Sequence, residues 1–183
     1  MIAYSVSDKE FAPYGRVANG YPVQGLMREL APIVPEPGQR YCPREERLHR
    51  AAQSEECGDV FFGGLPYEWG WYIGKNEEAD TMVFHSGSAL VCGLTDWTLR
   101  VALRSDIVEG RVPAEKVLAF TVPANTVIDL YPNTLRSAPI GDVRLLVGLS
   151  YATNTEYDPA GRVTPLDALL TARNTWQAKV AQG

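Results

Sequence analysis

Histidine and cysteine are scarce in this chain: His49 and His85, and Cys42, Cys57 and Cys92, among 183 residues. The cysteines are odd in number and show no Cys-x-x-Cys spacing. That argues against a disulfide framework and a structural zinc site, and for a reducing, cytoplasmic setting. No apolar run is long enough to span a bilayer, so no membrane partner is expected. Residues 1–11 carry Asp8, Lys9 and Glu10 where a secretory signal needs its apolar stretch. Basic runs are missing as well. With a net charge of −5 the chain has no long-range attraction for phosphate backbones, and nucleic acid is not an expected partner.

What remains is 45% hydrophobic and 21% charged, the composition of one ordinary globular domain. Ser7 and Glu10 have capping-box spacing before Pro13, which predicts a helical turn. Residues 21–30 place Val23, Leu26, Met27 and Leu30 on one face, a short amphipathic helix. Pro32, Pro35, Pro37 and Gly38 break it, and residues 43–53 read as helical again, with acidic residues early and basic ones later. Residues 1–58 are therefore expected to be an arm of helices and loops.

From residue 59 the texture becomes that of strands. Tyr67-Glu68-Trp69-Gly70-Trp71-Tyr72-Ile73 is rich in aromatics, and runs follow at 81–85, 90–93, 98–103, 117–122, 127–131 and 143–150. Glycine, proline or aspartate separates most of them. Short strands at this spacing predict a sandwich or barrel over residues 59–152. Residues 164–181 begin Thr-Pro-Leu-Asp and carry Leu166, Leu169, Leu170 and Trp176, which predicts a C-terminal amphipathic helix packed outside the sheet.

Strand alternation sorts the candidate functional residues. Val127, Asp129 and Tyr131 share one face, and Ile128 and Leu130 the other. If Ile128 and Leu130 pack against a second layer, Asp129 and Tyr131 line the barrel interior or its mouth, and Arg136 beyond the next turn reaches the same region. Glu68, Gly70 and Tyr72 share a face on which the glycine leaves room for a ligand or a neighbouring backbone.

Several stretches carry a resemblance to a bacterial cupin-like family of unassigned function. They are Tyr14-Gly15-Arg16-Val17 with Gly20-Tyr21, Gly63-Gly64-Leu65-Pro66, His85-Ser86-Gly87-Ser88, Val122-Pro123-Ala124-Asn125-Thr126, Leu130-Tyr131 through Leu135, Ala138-Pro139, and Asp167-Ala168-Leu169-Leu170 with Asn174 and Trp176. A fainter similarity links Phe11-Ala12-Pro13-Tyr14-Gly15 to the opening of ureidoglycolate lyases. The resemblance implies a mainly β chain: a double-stranded β-helix, or jelly-roll barrel, with helices outside. It also implies a homodimer, to which the aromatic strand would contribute. Cupins commonly hold a divalent metal with histidines and a glutamate. Here Ala89 stands where related sequences have the glutamate and Arg136 where they have a histidine, leaving His85. An alanine cannot ligate and a guanidinium repels a divalent ion, so no metal cofactor is assigned.

Two functions from different classes follow. In an enzyme, a lyase or isomerase of a hydroxy acid or sugar-derived substrate, His85 and either Glu68 or Asp129 exchange protons. Arg136 then clamps a carboxylate, with Tyr131, Ser88 and Tyr72 on the substrate. In a binding module the same Arg136 holds a small anionic ligand without turnover. Structural alternatives stand beside these. His85 can be a satisfied buried histidine, Arg136 an ion-pair partner of Asp129, Glu68 a solvated strand charge, and His49 part of a solvated helix face. Cys92 reads as a small buried hydrophobe.

Overall fold

The computed structural model describes residues 3–33, 40–76, 81–85, 87–139, 141–150, 170–172 and 175–180. In chain order its strands are β1 (Ala3–Ser5), β2 (Gly15–Val17), β3 (Arg40–Cys42), β4 (Tyr67–Asn76), β5 (Thr81–His85), β6 (Ala89–Gly93) and β7 (Trp97–Leu103). Then come β8 (Arg111–Val112), β9 (Leu118–Val122), β10 (Val127–Leu130), β11 (Thr134–Ser137), β12 (Gly141–Ser150), β13 (Leu170–Ala172) and β14 (Thr175–Val180). Three short helices, α1 (Gln24–Leu30), α2 (Glu46–His49) and α3 (Ser54–Phe62), precede β4.

The strands form two sheets. One runs β1-β9-β7-β11-β5-β14-β13 with β8 added on β14, and the other runs β2-β10-β6-β12-β4-β3. Antiparallel pairs join β4 to β12, β5 to β11, β6 to β10 and β7 to β9. First pairs with last, second with next to last, and so inward. That nesting is a long hairpin rolled into two facing sheets, the jelly roll, as the resemblance implies.

Side-chain alternation divides the apolar residues into three layers. Between the sheets lie Leu99, Val101, Phe120 and Val122 from one and Val91, Ile128, Leu130, Leu145 and Val147 from the other. Outside the second sheet, Leu26, Leu30, Leu48 and Phe62 from the helices cover Trp69, Trp71, Leu90, Cys92 and Leu146. Outside the first, Ile107, Val112 and Val117 cover Met82, Phe84, Ala102 and Leu135. A strand buried on both faces has no polar alternate, which is why β6 reads Ala-Leu-Val-Cys-Gly.

Several elements differ from the sequence reading. The described part of the expected C-terminal helix is extended: β14 pairs with β5, setting Trp176 against Phe84 and Gln177 against Val83. Pairing there covers an edge of β5 that would otherwise offer bare backbone groups. Residues 164–169 lie outside the described residues. The helix expected at 43–53 is reduced to α2, because Gln53 takes a left-handed φ of 69° and restarts the chain as α3. The N-terminal arm also contributes β1, β2 and β3 to the sheets. Its Phe11 and Tyr14 pack on Phe120, so the opening Phe-Ala-Pro-Tyr-Gly stretch is anchored in the core.

Candidate functional site

His85 ends β5, and Arg136 lies on the neighbouring β11, where it pairs with Val83 on one side and Val101 on the other. Cross-strand partners share a face. Val101 is fully buried between the sheets, so Arg136 and His85 point into the interior of the jelly roll. Arg136 Nη2 lies 3.2 Å from His85 Nε2. A guanidinium only donates, so Nε2 must be the accepting, unprotonated nitrogen. Arg136 Nε is buried without a hydrogen-bond partner, and no carboxylate among the described residues pairs with this guanidinium. Burial pulls the Arg136 pKa down, with Tyr41 acting in the opposite direction.

Tyr72 shares this interior. It lies opposite Leu145 on β12 and packs against the layer between the sheets. Its hydroxyl is buried without a hydrogen-bond partner, and burial raises its pKa. Tyr41 on the edge strand β3 is the cross-strand neighbour of Tyr72. The residue is 45% exposed, yet burial raises its hydroxyl while the charge of Arg136 lowers it. Tyr41 is thus close enough to the guanidinium to feel its charge, on the edge strand of the facing sheet. Nothing in the sequence marked Tyr41. Its role becomes visible only from the pairing of β3 with β4.

Gly70 is tight for a reason the sequence left open. A Cβ built there would meet the Cys42 carbonyl oxygen at 2.2 Å and the Pro43 carbonyl at 2.8 Å. The space belongs to a neighbouring backbone. The same arm engages Glu68, whose side chain is 11% exposed and takes Arg44 Nη1 at 2.8 Å. His49 Nε2 accepts the Trp69 backbone N–H at 3.1 Å and lies 3.0 Å from Glu68 Oε2. Glu68 is therefore a buried, paired carboxylate and His49 a wedged imidazole, in place of the solvated charges expected. Both pin residues 42–49 to β4.

Asp129 sits on the other side of its sheet. Ile128 and Leu130 fill the interior, so the alternation sends Asp129 outward beside Val127 and Leu90. The interior of this barrel is its apolar core, and the sequence reading had the two faces reversed. Asp129 Oδ2 accepts from Arg16 Nε at 2.9 Å, so its ion pair is with Arg16 and not Arg136. Burial raises the carboxyl, and the Arg16 hydrogen bond opposes that shift. Tyr131 is 39% exposed and lies within electrostatic reach of Arg16, on the same outer side. Ser88 takes part in the joint between β5 and β6 through its carbonyl, which accepts from the Ser150 N–H at 3.2 Å. Of the residues singled out, the structure brings His85 and Arg136 into contact, and Tyr72 packs against the layer between the sheets on the other sheet. Glu68, Asp129 and Tyr131 are held elsewhere by other partners.

A surface groove of about 470 Å³ lies away from this cluster, between residues 17–24 and 125–127, and its lining has no Asp, Glu, Lys, Arg or His. Burial pushes the Cys57 and Cys92 thiols up to about 12, which makes both inert. A divalent metal does not fit the interior cluster. Among the described residues its imidazole and carboxylate donors reduce to His85, whose Nε2 lone pair faces a cation 3.2 Å away, and Ala89 offers no ligand atom. No three His, Cys, Asp or Glu among the described residues are placed to hold an ion. No helix among those residues is long and apolar enough to cross a membrane.

Residues 3–182 match the family described as a domain of unknown function, DUF4867. The chain belongs to this family. No curated protein matches the chain, and the fainter similarity to ureidoglycolate lyases gains no support from that comparison. Among solved structures it is similar to the cobalt(II) form of HppE in complex with Tris buffer, at 11% identity and a TM-score of 0.37. That match covers 65% of this chain and 56% of the other, so the chain spans little more than half the length of the protein it matches.

Proposed function

We propose that this protein binds a small carboxylate inside the jelly roll, on Arg136, without a metal. One observation carries the reading: the buried Arg136 Nε has no acceptor, and no carboxylate among the described residues pairs with the guanidinium. A half-buried guanidinium whose Nε is shut off from water and unbonded is costly, and a ligand carboxylate supplies both a counter-charge and the missing acceptor. The open Tyr72 hydroxyl on the facing sheet offers a second contact. The finer reading, a lyase or isomerase of a hydroxy acid, is less well supported. Its two acids are engaged by Arg44 and Arg16, and His85 holds no proton at the nitrogen facing Arg136.

Thermal unfolding with glucuronate, with glucose as the uncharged control, tests the binding reading. At a hundred times Kd a ligand specific for the folded state adds about 2.7 kcal/mol, a rise of roughly 5–10 °C for a chain of this size. Glucuronate or a smaller carboxylate such as glycolate should raise the melting temperature, and glucose should not. Manganese, nickel or zinc alone should leave it unchanged. A shift with the metal and none with either acid would overturn the reading.

A further inference from the structure

Tyr41 was absent from the residues that sequence reasoning selected, yet it completes the cluster. It sits on β3, the outermost strand of its sheet, directly beside Tyr72. The face it shares with Tyr72 is the one turned toward β5 and β11. The residue is 45% exposed, so it stands where the interior meets solvent. The strand that carries it is held down by three independent contacts. Cys42 pairs with Trp71, the Cys42–Pro43 backbone fills the notch over Gly70, and Arg44 bonds the buried Glu68. A phenol fixed so firmly at the rim, beside a second phenol whose hydroxyl lacks a partner, is placed to touch whatever sits on the guanidinium.

Resting on the carboxylate reading of Arg136, we propose that Tyr41 and Tyr72 form a paired-phenol selector. It takes the hydroxyl next to the ligand's carboxylate, so that 2-hydroxy acids are preferred over unsubstituted ones. The chemistry follows from the donors at hand. Arg136 can only donate and suits the carboxylate. A phenol both donates and accepts, so one of the pair can accept a hydrogen bond from the ligand's hydroxyl while the other donates one to its oxygen. The cross-strand neighbours Val83, Val101 and Leu145 are aliphatic, and the His85 Nε2 is engaged by Arg136. The local electrostatics agree: burial raises both phenols, which keeps them protonated and able to donate.

Isothermal titration with glycolate and with acetate separates the selector from the clamp. The wild-type protein should bind glycolate about tenfold more tightly than acetate, the worth of one hydrogen bond to a desolvated group. Tyr41→Phe should lose most of that preference by weakening glycolate about tenfold while leaving acetate within about twofold, and Tyr72→Phe should act in the same direction. The melting temperature of Tyr41→Phe should match the wild type, since the residue is exposed and the ring is retained. If wild type and Tyr41→Phe bind both acids alike, the tyrosine assignment falls while the Arg136 reading stands. If the wild type takes up neither acid, the reading itself falls and the selector with it.

Discussion

Gly70→Ala should cost about 3 kcal/mol of folding stability, the upper end of what overpacking a core position produces. The reason is what the added methyl would meet. Cys42 O at 2.2 Å and the Pro43 carbonyl at 2.8 Å are backbone atoms of a segment tied on both sides, so no side-chain rotation relieves the clash. The segment must lift, and lifting it strips Arg44 from Glu68 and leaves a buried carboxylate short of its partner. Gly64→Ala is the comparison. It has open space but a φ of +78°, and should cost about 1 kcal/mol from the left-handed backbone alone. Urea unfolding midpoints measure both. Equal losses would mean that residues 42–43 do not lie on β4 as described. Because the lifted segment carries Tyr41, Gly70→Ala should also weaken any ligand held between Tyr41 and Arg136.

Arg136→Met should abolish carboxylate binding, lowering affinity more than 100-fold. Removing one partner of a buried, hydrogen-bonded charge pair costs about 3–5 kcal/mol, because the other charge stays desolvated. Arg136→Lys keeps the charge but loses the planar fork and should retain a weakened site. The folded state should tolerate Met. It keeps a chain of similar length and removes a half-buried cation that has no carboxylate partner among the described residues. A lost titration signal with a preserved melting curve therefore reports on the site and not on unfolding. Binding by the Met variant at wild-type strength would exclude Arg136 as the clamp.

Strands were legible in the sequence where alternation was clean and turns were punctuated. Residues 81–85 and the runs that became β6, β7, β9, β10 and β12 were each read within a residue or two of their ends. What failed had physical causes. β11 went unseen because its four residues, Thr-Leu-Arg-Ser, put a cation on the interior face, against the rule that apolar residues point in. That inversion marks the candidate site itself. The C-terminal segment carries apolar residues at helical spacing, yet it pairs as a strand because β5 has an edge to fill, which is a tertiary fact. α3 carries Gly58 where Tyr67 lies against it, so a Cβ there would touch the ring at 2.0 Å, and its helical signal is correspondingly weak. Asp129 was assigned the wrong side because alternation says which residues share a face and not which face is inside. Glu68 and His49 looked solvated because nothing local reveals that Arg44 and the backbone of Trp69 will meet them.

The central claim is that a ligand carboxylate seats on Arg136 inside the jelly roll. A crystal structure of the protein soaked in glycolate tests it most directly. A carboxylate within hydrogen-bond distance of Arg136 Nε, with His85 Nε2 still accepting from Nη2, is the expected result. An Arg136 paired to a protein carboxylate, with the interior closed and glycolate absent or bound elsewhere, would contradict it.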